Sequence, residues 1–360
     1  MNKIFLKLFT IIVFLPLQML AQGSLAPKYS NEFLQIGVGA RAMGMGNAMV
    51  AGVNDVTSVY WNPAGLTGVK NKVAIGLMHS EYFAGIAKYD YIGIASRIDE
   101  KSSVGFAALR FGVDDIPNTT QLIDNQGRID YDRVTTFTAA DYAFLFSYGR
   151  ELGIEGLSIG GTVKVIYRKA GKFAQSWGFG LDAGLQYKIE DKWRFGAMFR
   201  DVTSTFNAWM FKLDDQMKEV FIKTGNEIPQ NGLELTLPRF MFAAQRKIDI
   251  HWKDIYITPE IDFTLTTDGK RNTLIKSKVL SMDPVVGLEI GWRDIIAIRT
   301  GVNNFQFMKD FNDKRKLTVQ PNIGIGVTIK GVTLDYAFTN LGNQKDALYS
   351  HVISLKFGFK

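Results

Sequence analysis

Few residues of this chain have the types and spacing that chemistry requires. Gly37-x-Gly39 looks like the start of a phosphate-binding loop, but no strand pattern precedes it and no crossover-helix pattern follows, so no nucleotide site is predicted. His79, His251 and His351 lie far apart in the sequence and lack the spacing of metal ligands. The chain contains no cysteine and no serine-centred nucleophile elbow. We therefore predict no catalytic residue, metal site or cofactor, and no enzyme.

Arg41 is the one charged residue in a glycine-rich stretch of small residues. Glycines in such a stretch permit positive φ and close approach of the backbone to a surrounding wall. An isolated charge enclosed there is expected to pair with a carboxylate of that wall. Six acidic residues on the polar faces of alternating segments are the candidate partners: Asp141, Asp182, Glu260, Asp262, Glu289 and Asp335.

The N-terminus has the pattern of a secretory signal peptide. Lys3 and Lys7 precede an apolar run that ends at Leu20, and small residues before Gln22 suit cleavage, so residues 1–21 are expected to be removed on export. A mean hydropathy of 0.00 is too low for a bundle of membrane-spanning helices. The net charge of +7, which falls to +5 without the signal, is scattered along the chain. A nucleic-acid partner is therefore not predicted, whereas contact with outer-membrane lipid is.

The elements that must position these residues are strands, because apolar and polar residues alternate with period two from residue 72 to the end. Trp177 to Ile189 illustrates the pattern, with apolar residues at every odd position and glycine or polar residues between them. A soluble sandwich would also alternate. However, glycine and charge on the polar face, aromatic residues at strand ends and the penultimate Phe359 favour a transmembrane barrel.

The strands expected in this all-β, antiparallel transmembrane barrel number about fourteen. They lie near 72–79, 89–97, 102–112, 135–149, 157–169, 176–189, 192–200, 237–249, 255–266, 283–292, 295–303, 321–330, 331–339 and 350–360. Tight turns are expected to alternate with long loops at 113–134, 201–236, 267–282 and 304–320. This alternation predicts short periplasmic turns, long external loops and both termini on the periplasmic side.

Residues 22–71 do not alternate and are predicted to form a small N-terminal hatch inside the barrel of residues 72–360, because a barrel this wide leaves room to fill. Loop 201–236 has the spacing of an amphipathic helix, packed either on its own loop or against a partner. Its aromatic residues are the candidate contacts for a partner or an incoming ligand: Phe206, Trp209, Phe211 and Phe221.

Two blocks in the hatch carry a family resemblance: Gly39-Ala40-Arg41-Ala42-Met43-Gly44-Met45-Gly46 and Asn62-Pro63-Ala64-Gly65-Leu66. With them the chain resembles the PorV/PorQ family of Bacteroidota outer-membrane proteins, within the FadL-like barrel superfamily. The resemblance implies a fourteen-stranded barrel with an N-terminal hatch in the outer membrane. The blocks either hold the hatch in place or take part in function. Their candidate residues are Gly39, Ala40, Arg41, Gly44, Gly46, Asn62, Pro63, Ala64 and Gly65.

The resemblance leaves two main functional hypotheses. The first is a non-enzymatic binding and assembly component of type IX protein secretion, with a large translocon barrel and secreted cargo domains as partners. The second is a FadL-like passive transporter of a hydrophobic ligand, which would need an apolar path through the lumen. A structural barrel with adhesive loops is a third possibility. Fold-level analogy does not decide among them.

Overall fold

The computed structural model describes residues 27–82, 85–123, 126–250, 254–309, 313–340 and 349–359. The expected signal peptide, residues 1–21, and His251 lie outside these ranges. The described residues form eighteen strands, which in chain order are β1 (Val73–Tyr82), β2 (Ala87–Arg97), β3 (Ser102–Asn118), β4 (Thr135–Glu151), β5 (Leu157–Ala170), β6 (Ala174–Ile189), β7 (Trp193–Arg200), β8 (Thr205–Phe211), β9 (Gly232–Thr236), β10 (Arg239–Arg246), β11 (Ile248–Ile250), β12 (Ile255–Thr266), β13 (Ile275–Lys276), β14 (Ser281–Trp292), β15 (Ile296–Lys309), β16 (Arg315–Ile329), β17 (Val332–Asn340) and β18 (Tyr349–Phe359).

Fourteen of these strands close into an antiparallel barrel in the described part of the chain. The ring consists of β1–β7, β10, β12 and β14–β18, and it closes because β1 pairs with both β2 and β18. The expected all-β class and strand number are thus confirmed. The four other strands extend the wall: β8 pairs with the first half of β6, β9 with β8, β11 with β12 and β13 with β14.

The two ends of the barrel differ in the length of their connections. At one end, here called the short-turn end, brief turns such as 98–101, 190–192 and 330–331 join the strands. The opposite, long-loop end carries 119–134, 201–238 and 267–280. Three connections at the long-loop end, 83–86, 171–173 and 310–314, are nevertheless short. The expected long loop at 304–320 is therefore wrong, because β15 and β16 continue to pair as far as Lys309 and Arg315. The wall therefore varies in height around the ring.

Alternation places apolar side chains outside and small or polar ones inside. On β6, Trp177, Phe179 and Leu181 are 45%, 47% and 43% exposed, whereas Gly178 and Gly180 between them face the lumen. An apolar outer face over a closed ring is the arrangement that a lipid bilayer requires, since every wall strand then satisfies its backbone within the sheet.

Residues 27–71 run through the lumen and supply most of the buried core. They contain a 3₁₀ turn (Glu32–Gln35), α1 (Ala40–Gly44), α2 (Ser58–Trp61) and a second 3₁₀ turn (Pro63–Gly68). Two more helical segments lie in the loops, a 3₁₀ turn at Tyr131–Arg133 and α3 at Asp215–Lys223. Within the described residues, no helix has the length and apolar character to cross a membrane.

The first described residues lie at the long-loop end, whereas the N-terminus that was expected on the periplasmic side lies outside the described residues. Lys28 donates to the carbonyl oxygen of Lys270, and the amide nitrogen of Tyr29 lies 3.2 Å from a carboxylate oxygen of Asp268. Both partners belong to the long loop after β12. The chain then descends through the lumen to enter β1 at the short-turn end, where Phe359 also lies. The alternation of apolar and polar residues identifies strands only, so it could not predict the path of the hatch through the lumen.

Segment 201–236 also differs from its expected form. Phe206, Trp209 and Phe211 lie on β8 rather than on an amphipathic helix, because β8 extends the sheet along β6. A helix is present only at α3, which carries Phe221 and begins after Asp214, whose side chain accepts the amide of Met217. The segment is therefore an outgrowth of the wall with one short helix.

The wall glycines that face the hatch generate a stability prediction. A Cβ on Gly160 would overlap the backbone of Pro63, whereas a Cβ on Gly161, which faces outward, would come no closer than 3.8 Å to a neighbouring atom. We expect Gly160→Ala to lower the free energy of unfolding by about 1–3 kcal/mol through overpacking. Gly161→Ala, the matched control, should leave it unchanged or slightly raised. Urea titration of both variants in lipid vesicles measures this, and equal effects would contradict the close packing of hatch and wall.

Candidate functional site

The first hatch block lies with its backbone against glycines of three neighbouring strands, Gly287 on β14, Gly301 on β15 and Gly324 on β16. A Cβ on Gly301 would overlap Met45, and a Cβ on Gly287 would lie 2.6 Å from the carbonyl oxygen of Met45. Gly46 has a φ of +65°, which a side chain would strain, and its backbone lies against β15. Glycine on both partners thus permits an approach that no other residue would allow.

Arg41 holds this block by ion pairs. Its Nε and Nη2 donate to the two carboxylate oxygens of Glu289 on β14 at 2.9 and 3.1 Å. The expected pairing with a wall carboxylate is confirmed, and Glu289 is the partner among the six candidates. Arg299 on β15 donates to the same carboxylate at 2.6 Å and to Asp335 on β17 at 2.7 Å. The chain of charges thereby links the hatch to three strands.

Asp55 closes the network from the other side of the hatch. Its carboxylate accepts Lys356 of β18 at 2.9 Å and the amide of Thr57 at 2.9 Å, while Lys356 also lies 3.3 Å from Asp335. Burial alone would raise the pKa of Asp55, but the positive charges of Lys356 and Arg41 hold that pKa below its usual range. Three cations and three carboxylates therefore balance across the boundary between hatch and wall.

Two carboxylates of β12 bind the hatch through its backbone. Glu260 accepts the amides of Ala51 and Gly52 at 2.9 and 3.0 Å. Asp262, two residues along, accepts the amides of residues 49 and 50 at 3.0 and 3.1 Å. Gln245 donates to the second oxygen of Glu260 at 2.7 Å. Four successive amides that lack helix or sheet partners are thus satisfied by the carboxyl oxygens of two wall residues.

The second hatch block is held by Asn62. Its amide nitrogen donates to the carbonyl oxygens of Val50, within the hatch, and Leu185, on β6, at 3.0 and 3.1 Å. Its amide oxygen accepts the backbone nitrogen of Ala64 at 3.2 Å, which begins the 3₁₀ turn after Pro63. Asn62 and Pro63 pack on inward glycines of β4, β5 and β6: Gly149, Gly160 and Gly184.

The structure thus brings the two blocks together inside one hatch. Eight of the nine candidate hatch residues are buried, and the ninth, Arg41, is partly buried. Each of the nine belongs to the packing and hydrogen bonding that fix the hatch to the wall or to itself.

A cavity of about 420 Å³ lies between the hatch and the long-loop end, and we name it the vestibule. Tyr60 and Trp61 of the hatch form part of its floor. The residues that line it include many carboxamides, among them Gln35, Asn47, Asn272, Asn303, Gln320 and Asn322. The hydroxyl groups of Thr266 and Thr339 also line it and have no hydrogen-bond partner among the described residues. The vestibule therefore combines hydrogen-bonding groups with apolar side chains, among them Met43, Trp61 and Met241.

Glu32 fastens the start of the hatch at the rim of the vestibule. One of its carboxylate oxygens lies 3.2 Å from Arg239 and 2.9 Å from Arg271, and both guanidinium groups are buried. Arg200, on the strand beside Arg239, donates to the carbonyl oxygens of Leu34 and Tyr60 at 2.8 and 3.0 Å. These residues were missed in the sequence. For Arg200 and Arg239, the available signal was an arginine at an inward position of a largely apolar strand.

The four aromatic residues expected at a partner or ligand site do not form one surface. Phe206 faces outward on β8 beside Phe179, with ring centroids 5.8 Å apart. Trp209 faces inward, where its Nε1 donates to Glu234 at 2.6 Å, and Phe211 stacks on it. Phe221 lies apart on α3.

Within the described ranges, no group of three or more histidine, cysteine or acidic side chains is arranged to hold a metal ion. His79 and His351 lie on the outer surface, where His79 contacts Asp90 and His351 contacts Tyr336.

Comparison with known proteins gives a family and a fold. The sequence model of the family described as type IX secretion system protein PorV matches residues 27–229. Among solved structures, the toluene transporter TbuX of Ralstonia pickettii is similar at 13% identity and a TM-score of 0.55, with 90% of this chain and 99% of that chain covered. The monoaromatic hydrocarbon channel CymD is similar at 14% identity and a TM-score of 0.55, with 90% of this chain and 98% of that chain covered. The P. putida toluene transporter TodX is similar at 10% identity and a TM-score of 0.52, with 90% of this chain and 99% of that chain covered. A search of curated proteins gave no match.

The buried charge network generates a prediction at Arg41. Removing one member of a buried ion pair leaves an uncompensated charge, so Arg41→Gln should lower the free energy of unfolding by about 3 kcal/mol. It should also speed hydrogen exchange at residues 40–52. Arg293→Gln is the matched control, because Arg293 pairs with Asp254 at the same 2.9 Å but both side chains are more than half exposed. Exposed pairs contribute little. Equal effects of the two substitutions would contradict the role given to the network.

Proposed function

Because the chain belongs to the family of the type IX secretion system protein PorV, we propose that it acts in the outer membrane by binding and assembling other proteins of type IX secretion. The family and the FadL-like barrels that share its fold are non-enzymatic, and we propose no reaction for this chain. Its proposed partners are a large translocon barrel and the signal domains of secreted cargo.

The observation that carries this proposal is the closed lumen. Hatch residues 38–66 pack against wall glycines and are joined to β12, β14 and β18 by buried carboxylates and cations. A path through the barrel would require breaking these contacts together. A barrel sealed in this way can still present its rim, its loops and its outer wall to other proteins. We therefore place the function on those surfaces.

The long-loop end supplies the surface for cargo in this proposal. Its loops rise above the vestibule, and β8, β9 and α3 extend the wall there. Phe206, Trp209, Phe211 and Phe221 remain proposed contact residues, although on separate faces of this outgrowth. The hatch residues are proposed to act indirectly, because they fix the floor and rim on which the loops stand.

Uptake of a hydrophobic compound is the second candidate function, and the similarity of fold to hydrocarbon transporters favours it. Such uptake needs an apolar route. The vestibule has apolar side chains such as Trp61 and Met241, but carboxamides and the buried guanidinium groups of Arg200, Arg239 and Arg271 interrupt them. Stripping water from such groups without replacing their hydrogen bonds is costly, so an apolar ligand would bind poorly there. We therefore rank uptake below secretion.

Affinity purification from native outer membranes tests the proposal. A tag inserted at the exposed Glu190–Asp191 turn leaves the pairing of β1 with β18 intact. We expect the tagged chain to co-isolate a much larger outer-membrane barrel together with cargo that bears a signal domain. We also expect deletion of the chain to abolish export of that cargo, and the tagged chain to restore it. Normal export after deletion, with a chain that isolates alone with lipid, would contradict the proposal and favour uptake.

A further inference from the structure

The outer wall has an apolar band whose height differs between strands. On β14, the outward residues are apolar from Met282 at the long-loop end to Trp292 at the short-turn end. The outward residues of β6 are likewise apolar from Trp177 to Ile189. A membrane-spanning strand needs about 9–11 residues. These two strands therefore carry a band tall enough for the hydrocarbon layer.

The band is much shorter on β1, β2 and β3. On β1 the outward residues Val73, Ile75 and Leu77 are followed by His79 and Glu81. On β2, counted from the short-turn end, Ile94 and Ile92 are followed by Asp90 and Lys88, and on β3 Ala108 is followed by Arg110. Charged groups thus begin about half-way up the wall, at a level where β6 and β14 remain apolar.

These charged residues form one surface, which we name the lateral patch: His79, Glu81, Lys88, Asp90 and Arg110. His79, Asp90 and Arg110 are direct neighbours across the three strands. His79 Nδ1 lies 2.6 Å from Asp90, and their side chains are 52% and 43% exposed. The patch therefore faces outward from the barrel.

A groove of about 420 Å³ lies beside the lateral patch on the same outer wall. Ala108 is small and sits between Ile92 and Phe144 on the flanking strands, which leaves a depression in the wall. The other outward apolar residues that line it are Leu77, Ile353 and Leu355. A concave apolar surface bordered by charge is suited to a protein partner, which can supply both shape and counter-charges.

We infer that the lateral patch and its groove are a docking face for a second outer-membrane protein, the large partner barrel of the secretion system. The inference rests on the proposed function for the identity of that partner. Charges that face lipid destabilise a barrel in a depth-dependent manner. A protein neighbour with polar groups at the same level removes that penalty, and lipid chains do not.

Site-directed cross-linking tests the face directly, because the chain contains no cysteine and each introduced thiol is unique. Ile92→Cys places a thiol in the groove, and Ile290→Cys places one on the distant β14 at a similar exposure of the native residue, 52% against 41%. A maleimide–benzophenone probe is attached to each variant in native outer membranes and then illuminated. We expect at least about tenfold more cross-linked product with a larger membrane protein from Ile92→Cys than from Ile290→Cys.

Charge reversal provides an independent measurement. Lys88→Glu and Arg110→Glu together should reduce co-isolation of the partner by about tenfold, since like charges are then brought together. Arg293→Glu at the short-turn end is the control and should leave co-isolation unchanged. Heat-dependent mobility on gels confirms that each variant forms a closed barrel.

The outcomes separate this inference from the proposed function. A partner that co-isolates but cross-links equally from both cysteines, or survives charge reversal, overturns the docking face and leaves the secretion role standing. Cross-links only to a second copy of the chain, or only to lipid, also overturn it. If the native chain co-isolates no partner, the proposed function itself fails.

Discussion

Closing fourteen strands into a ring encloses more space than their own inward side chains can fill, and the rest of this structure depends on how that space is occupied. The backbone of the hatch fills it by packing directly against the wall, which requires glycine on the wall at Gly160 and Gly301. A run of hatch amides has no backbone partner there and must be hydrogen-bonded by side chains of the wall. Glu260 and Asp262 satisfy those amides. Packing density and hydrogen-bond satisfaction therefore have to be met at the same positions.

Because the lumen is filled in this way, we place the proposed function on the outside of the barrel. The buried charges of the hatch balance one another, so they stabilise one arrangement of hatch and wall rather than present a free site. What remains accessible is the vestibule, the loops around it and the outer wall. Membership of the PorV family is consistent with this division, since a secretion component acts through contacts with other proteins.

Much of the barrel could be predicted because a strand with one lipid face and one lumen face must alternate, which fixes the face on which each residue lies. Glu289 was one of six carboxylates expected near Arg41, but parity cannot say which of six inward residues lies at the height of a given hatch residue. Glu32 and its arginine partners were missed because their meeting depends on the path of the hatch. The same reason explains why the contacts of Lys28 and Tyr29 at the long-loop end were not predicted. Phe206 and Trp209 were predicted on a helix because a short apolar run fits both the helical and the strand periodicity. In the structure they lie on a strand because this segment pairs with β6.

The central claim is that the hatch seals the barrel, and electrical conductance across a planar lipid bilayer tests it most directly. With the purified native chain inserted in the bilayer, we expect no steady conductance above that of the lipid alone. A steady, ohmic current that scales with the number of inserted barrels would show an open water-filled lumen. That result would contradict the packing of hatch against wall on which the proposed function rests.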